Sequence, residues 1–486
     1  MQIRGFDMCR TGAVLLRSGF GLLLAAICSI ALAANPSLPA PLQRVVSGHK
    51  IPTDSISIVV QEIGQSSPLL TLNPDVARNP ASAIKLVTTW GALDLLGANH
   101  TWRTRVFADG PINDGVLNGN LYLKGYGDPY LVLEEFWKLV GELRRSGLRH
   151  INGDIVIDQS HFAPDATDAG AFDGARYRLY NVKPSALMVN FKALHFDFAG
   201  QAGKKINVVA SPNLPNLKIT SRVKATQGSC RRQSPKIIMN VADPKKADQV
   251  EFSGSLPAQC RNYRLARTAL TASSYAYGTF HWLWEQWGGT LSGTMREAIT
   301  PKTLTPLLTW NSRPLSEVIR PLNKWSNNTM TRMLLLSLGA LDHSPPLSRQ
   351  QGIAVLRNHL EQRGLDTTEL VIDNGAGLSR DTRVSAKFMT DLLGLAWQQP
   401  TMPEFVASMA VAGQDGTVRR RFRGKPQAGQ MHLKTGRLNN VVAIAGYVHA
   451  DSGKHFAVCL LVNHKNVHYG PGTELQNALL DWAWHQ

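Results

Sequence analysis

The residues best suited to chemistry begin at "PASAIKLVTTW", residues 80–90, where a serine stands three positions before a lysine. On a helix, positions i and i+3 are neighbours. The first turn of a helix also favours developing negative charge. Ser82 in that turn with Lys85 beside it would suit an activated nucleophile and its base. The pattern alone is weak, because Ser-x-x-Lys recurs at Ser47–Lys50 and Ser221–Lys224. Ordinary composition yields about one or two chance copies in a chain of this length. Taken alone, Ser82-x-x-Lys85 reads equally as the polar start of an amphipathic helix.

Two later motifs change the odds. Ser326-Asn327-Asn328 lies at the polar centre of a helical stretch, and Lys434-Thr435-Gly436 lies on an apolar strand. A given Lys-Thr-Gly appears by chance in about one such chain in ten. The ordered set of three, each in a suitable element, is far rarer, and it is a signature of serine acyl transfer to and from penicillin-like amides. The chemistry is coherent. Lys85 serves as base only if burial or a nearby cation such as Lys434 keeps it neutral. Ser326 can pass a proton to the leaving amine. Asn328 can hold both Lys85 and a substrate amide. Lys434 and Thr435 can take a terminal carboxylate. Gly436 admits a closely approaching backbone. Backbone N–H groups of Ser82 and Arg437 would form an oxyanion hole.

With these motifs in place the chain resembles the D-alanyl-D-alanine carboxypeptidase/endopeptidases of the penicillin-binding protein 4 type. Ser326 follows Ser82 by 244 positions, and a large insert between those motifs marks that family. "LYLKGYGDPYL", "GDIVIDQSHF", "YNVKPSALMVN", "DNGAGLSR" and "VAGQDGTVRRRF" look like family segments. The resemblance covers nearly the whole chain beyond its leader. It implies an α+β multidomain fold: a transpeptidase/β-lactamase-like antiparallel sheet flanked by helices, with β-rich domains inserted between the first and second motifs. It implies a serine DD-peptidase acting through an acyl-enzyme on Ser82. Peptidoglycan stem peptides would be substrates, β-lactams inhibitors, and no cofactor would be needed. Arg437 stands where the family more often has Ser or Thr, Ala376 where Ser is frequent, and Thr331-Arg332 in place of Ala-Glu. A β-lactamase, or a catalytically retired cell-wall binding protein, would be the rival readings.

The elements that must position these groups are legible in outline. "SISIVVQEI" and "SPLLTLNPD" read as strands, and Ser82–Leu96 as a helix. After Thr101 come short strands broken by Gly, Asn and Asp turns, with one helix in "LEEFWKLVGELRRSG" and another in "SSYAYGTFHWLWEQWGG". Near the C-terminus "MHLKTG", "VVAIAGYVH" and "HFAVCLLVN" read as three consecutive strands, and "ELQNALLDWAWH" as a covering helix. The expected division is 1–33 signal peptide, 34–100 first catalytic segment, 101–300 insert and 301–486 second catalytic segment.

The 486 residues are 43% hydrophobic, enough for sizeable cores. Arg4, Arg10 and Arg17 precede an apolar run from Gly19 to Ala33 that ends in Ala31-Leu32-Ala33. This is the pattern of a cleaved export signal. Ile27 before Cys28 is too large for a lipid-attachment site. Removing residues 1–33 takes away three arginines and Asp7, a net +2, and leaves +15 of the formal +17. For an exported, periplasmic chain that balance points away from nucleic acid and toward peripheral contact with an anionic wall or membrane surface. Cys230 and Cys260 sit in polar turn-like stretches and can pair in an oxidising compartment. Cys459, in "FAVCLLV", reads as a core thiol. No Cys/His spacing suits a metal. His432 reads as structural, Asp128-Pro129 as a turn, and Asp415-Gly416-Thr417 as a turn near the cleft. Arg419–Arg421 and Arg423 read as a solvated face, and the tryptophans of "HWLWEQWGG" as core.

Overall fold

The computed structural model describes residues 38–199, 206–230, 234–260 and 263–486. The export signal expected over 1–33 lies outside them. Among the described residues no helix is long and apolar enough to cross a membrane.

The chain's central sheet has six antiparallel strands. Their spatial order is Ala410–Val411, Met431–Leu438, Val441–His449, His455–Asn463, Ile56–Glu62 and Leu70–Leu72. The three late strands expected from the sequence are therefore consecutive neighbours, and the first strand of the chain closes beside the last. Side chains alternate across a strand, and here each face enters a different core. Val59, Ala443, Ala445, Tyr447, Ala457 and Cys459 pack with the Lys85–Leu96 and Ala386–Trp397 helices on one side. Ile58, Val60, Val442, Ile444, Val458 and Leu460 pack on the other, under the C-terminal helix Pro471–Trp484 and the Ala40–Gly48 helix. Burial on both faces explains why these strands read as nearly continuous apolar runs.

Between Trp102 and Asn311 the chain builds a second body around its own core, which includes Phe136, Phe196, Phe252, Phe280 and Trp284. It has a five-stranded mixed sheet in the order Met295–Glu297, Ile155–Asp158, Leu121–Gly125, Arg103–Ala108, Pro306–Asn311. Three smaller sheets accompany it. The Leu133–Arg145 and Ala272–Gln286 helices pack into this core, with Trp284 fully buried. Pro306–Asn311 pairs with Arg103–Ala108, so this sheet extends as far as Asn311. Cys230 and Cys260 are joined in a disulfide within it, and Cys459 is a buried free thiol.

Candidate active site

Ser82 does not sit in the first α-helical turn, as its spacing suggested. It lies in a 3-10 turn, Ala81–Ile84, that leads into the Lys85–Leu96 helix. Ala81 takes a positive φ of 44° at the entry, an uncommon conformation for a residue with a Cβ. Two contacts hold this turn from outside. Asn79 Oδ1 accepts from Ala81 N at 2.8 Å. Gly377, at φ +77°, approaches so closely that a Cβ there would stand 1.9 Å from the Ala81 carbonyl oxygen. Turn geometry and Lys85 spacing together keep the serine and the amine side by side.

Lys85 is fully buried. Its Nζ lies 3.1 Å from Ser82 Oγ and 2.7 Å from Asn328 Oδ1, and it donates to the Ala376 carbonyl. Burial pushes its pKa well below the usual lysine value, and the cationic Lys434 and Arg332 add to the shift. A neutral amine has two N–H donors and one lone pair. In the neutral amine the two carbonyl oxygens would take both donors and leave the lone pair for the serine hydroxyl.

The middle motif sits at a break between two helices, Leu315–Trp325 and Asn328–Leu338. Ser326 ends the first in the left-handed region, φ 59°. Asn327 caps the second, its side chain accepting from Met330 N at 3.1 Å. The break turns Ser326 and Asn328 toward the cleft. Asn328 is bound on both sides: Oδ1 accepts from Lys85, and Nδ2 donates to the Tyr180 carbonyl at 3.0 Å.

The third motif lies on the Met431–Leu438 strand. Lys434 Nζ is fully buried and donates to Ser326 Oγ at 2.8 Å and to the Thr435 carbonyl at 2.9 Å. Desolvation lowers its pKa to about 7. Thr435 Oγ1 is 2.9 Å from Thr417 Oγ1, which puts the Gly416–Val418 turn at the cleft as expected. A Cβ on Gly436 would come within 2.2 Å of the Pro80 carbonyl oxygen. The strand therefore lies directly against the entry to the Ser82 turn. Arg437 follows with its side chain exposed.

Ser82, Lys85 and Asn328 thus form one hydrogen-bonded group, and Ser326, Lys434 and Thr435 a second. No residue pattern marks the Ala376 and Tyr180 carbonyls, because backbone acceptors carry no residue signature. Lys324, whose Nζ bonds Asp415 Oδ2 at 2.6 Å, was also missed. Thr331 and Arg332 are accommodated locally. Thr331 Oγ1 donates to the Asn327 carbonyl, and Arg332 is largely buried with its pKa lowered by that burial. One expectation needs correction: Arg421 is not part of a solvated face. It bonds Gln476 Oε1 at 2.7 Å, and burial lowers its pKa to about 10, while Arg419, Arg420 and Arg423 are exposed. His432 is half-buried, with Nδ1 3.1 Å from the Val406 carbonyl, consistent with a structural role. Asp128 accepts from Tyr130 N at 2.8 Å in the expected turn. No group of His, Cys, Asp or Glu among the described residues could hold a metal.

Beside this site opens a cavity of about 540 Å³. The Asn374–Ser379 segment, which carries the Ala376 carbonyl, forms part of its wall, and Asp165, Asp373, Arg332 and Arg349 line it with both signs of charge.

A D-alanyl-D-alanine carboxypeptidase from Actinomadura sp. (strain R39) is 30% identical over 428 residues, covering 84% of this chain and 78% of its own. Penicillin binding protein 4 (dacB) from Haemophilus influenzae superposes with a TM-score of 0.78 at 21% identity, over 92% of this chain and 99% of that one. The same protein in complex with a β-lactam superposes with a TM-score of 0.74, again at 21% identity, with the same coverage. These structural matches agree with the α+β fold read from the sequence. A model of the D-Ala-D-Ala carboxypeptidase 3 (S13) family matches residues 38–484, and the chain belongs to that family.

Proposed function

We propose that this chain is an exported serine DD-peptidase whose nucleophile is Ser82 and whose base is Lys85. The observation that carries the reading is the Lys85 amine, buried and held against Ser82 Oγ at 3.1 Å while Asn328 and Ala376 occupy its donors. Ser82 Oγ attacks the carbonyl between two terminal D-alanines as its proton passes to Lys85 Nζ. Backbone N–H groups of Ser82 and Arg437 receive the oxyanion. Ser326, bonded to Lys434, delivers a proton to the departing amine. D-Alanine leaves, and water hydrolyses the ester on Ser82. Lys434 and Thr435 bind the terminal carboxylate. The charged cavity beside Asn374 suits a stem-peptide side chain bearing both an amine and a carboxylate. β-Lactams would acylate the same oxygen, and the leader sequence supports export to the periplasm.

A fluorescent penicillin tests this directly. Wild type is expected to be labelled covalently and to release D-alanine from a pentapeptide muropeptide. Ser82→Ala is expected to lose both, the second by about 10³-fold or more. Labelling that survives in Ser82→Ala would overturn the assignment. Rapid turnover of a chromogenic cephalosporin would place the protein with β-lactamases instead.

A further inference from the structure

Asn190, Phe191 and Lys192 take positive φ in succession, 47°, 53° and 54°. Each value is strained for a residue with a Cβ, and a run of three persists only where the surroundings impose it. Tyr275, on the Ala272–Gln286 helix, supplies the restraint. Its hydroxyl donates to the Ala193 carbonyl at 2.8 Å and accepts from Asn190 Nδ2 at 3.1 Å. The turn brings Lys192 to the wall of a second cavity, of about 590 Å³, which none of Ser82, Lys85, Ser326 and Lys434 lines. On that wall Lys192 is the amine left over. Lys183 Nζ donates to the Thr167 carbonyl at 2.6 Å, and Arg176 pairs with Asp168 at 2.9 Å. Among the described residues the Lys192 amine has no hydrogen-bond or ion-pair partner. Burial, and then the charge of Lys183, lower its pKa to about 8, so it is mostly charged at neutral pH.

Two further features of the wall call for an anion. Thr268 is 5% exposed, and its buried Oγ1 has no hydrogen-bond partner; a buried hydroxyl left open marks a missing ligand or water. The N-terminus of the Ala272–Gln286 helix, capped by Thr271, lines the cavity with its positive dipole end. Asp165 and Asp168 are also on the wall, which favours a single carboxylate over a dianion, and Val182, Pro184, Ala269 and Leu270 add apolar surface. We propose that this cavity is a second, non-catalytic binding site, which takes the carboxylate of a short aliphatic peptide on Lys192 and the peptide's methyl groups on the apolar wall. The strained turn is the clamp that holds the amine in place before the ligand arrives.

The test measures binding by ligand-observed NMR to purified protein, with and without penicillin in the catalytic cleft. The probes are N-acetyl-L-alanyl-L-alanine, its C-terminal amide and inorganic phosphate. The carboxylate is expected to bind wild type whether or not penicillin is present, and about tenfold more tightly than the amide. Lys192→Met should weaken it about tenfold, and Lys192→Arg should restore most of the affinity. Lys192→Gly removes the amine and one strained residue together, so its melting temperature should match or exceed that of wild type while binding is lost. This variant separates loss of the site from loss of the fold. Equal affinity in wild type and in folded Lys192→Met or Lys192→Gly overturns the proposal. Binding that disappears with penicillin places the carboxylate in the catalytic cleft and overturns it too. Phosphate that binds more tightly than the carboxylate overturns the ligand class.

Discussion

Two buried amines in one cleft are coupled through their charges. Lys434 titrates near 7, while Lys85, desolvated and facing two other cations, lies well below its usual value. When Lys434 is charged, its charge adds to burial in holding Lys85 neutral. In the proposed mechanism acylation needs Lys85 neutral, and carboxylate capture needs Lys434 charged. The pH profile of kcat/KM on a carboxylate-terminated peptide should therefore fall on the alkaline side near pH 7, as Lys434 loses its proton. An acid limb follows where Lys85 takes up its proton. A bound carboxylate favours charged Lys434, so the alkaline limb of kcat should lie above that of kcat/KM. Profiles of both constants check this; a kcat/KM that stays flat to about pH 9 rules out the assigned role of Lys434. Arg437 leaves this coupling intact: it is exposed, and the position contributes a backbone donor in the proposed mechanism.

At the scale of elements, the site depends on three backbone features that join distant segments: the 3-10 turn at Ser82, the break at Ser326 and the glycine at 377. Gly377 combines φ +77° with a 1.9 Å approach of its would-be Cβ to the Ala81 carbonyl oxygen. Gly377→Ala is expected to destabilise by about 2–4 kcal/mol and to slow penicillin acylation, because the Ser82 turn must shift. Gly364 has a similar φ of +79° with nothing within 4 Å, so Gly364→Ala should cost about 1 kcal/mol and leave acylation unaltered. Denaturant unfolding and acylation rates measured side by side separate the two; equal effects would show that strain alone matters. The same features mark the limit of what the sequence discloses. The three motifs and the late strands were readable because residue type and apolar period encode them. The 3-10 geometry at Ser82, the carbonyls of Ala376 and Tyr180, and the burial of Arg421 were not, because each depends on a segment far along the chain arriving at that place.

Over the whole molecule, catalytic groups and disulfide belong to different cores. Lys85–Leu96, the break at Ser326 and the Lys434 strand pack around the central sheet. Cys260 instead packs into the core of the inserted body, with Phe196, Phe252 and Leu256. The two bodies meet near the site through Tyr180 and Val182, whose carbonyls accept from Asn328 Nδ2 and Thr329 Oγ1. A crosslink closing a separation of 30 residues contributes about 3 kcal/mol by restricting the unfolded chain. That contribution acts on the inserted body, and the Ser82–Lys85 geometry draws none of it directly. Replacing both cysteines with serine should therefore lower the melting temperature of one calorimetric transition while penicillin labelling persists below it. If labelling is instead lost in step with that transition, the Tyr180–Val182 segment transmits unfolding of the insert to Asn328. The catalytic group and the inserted body would then form one cooperative unit.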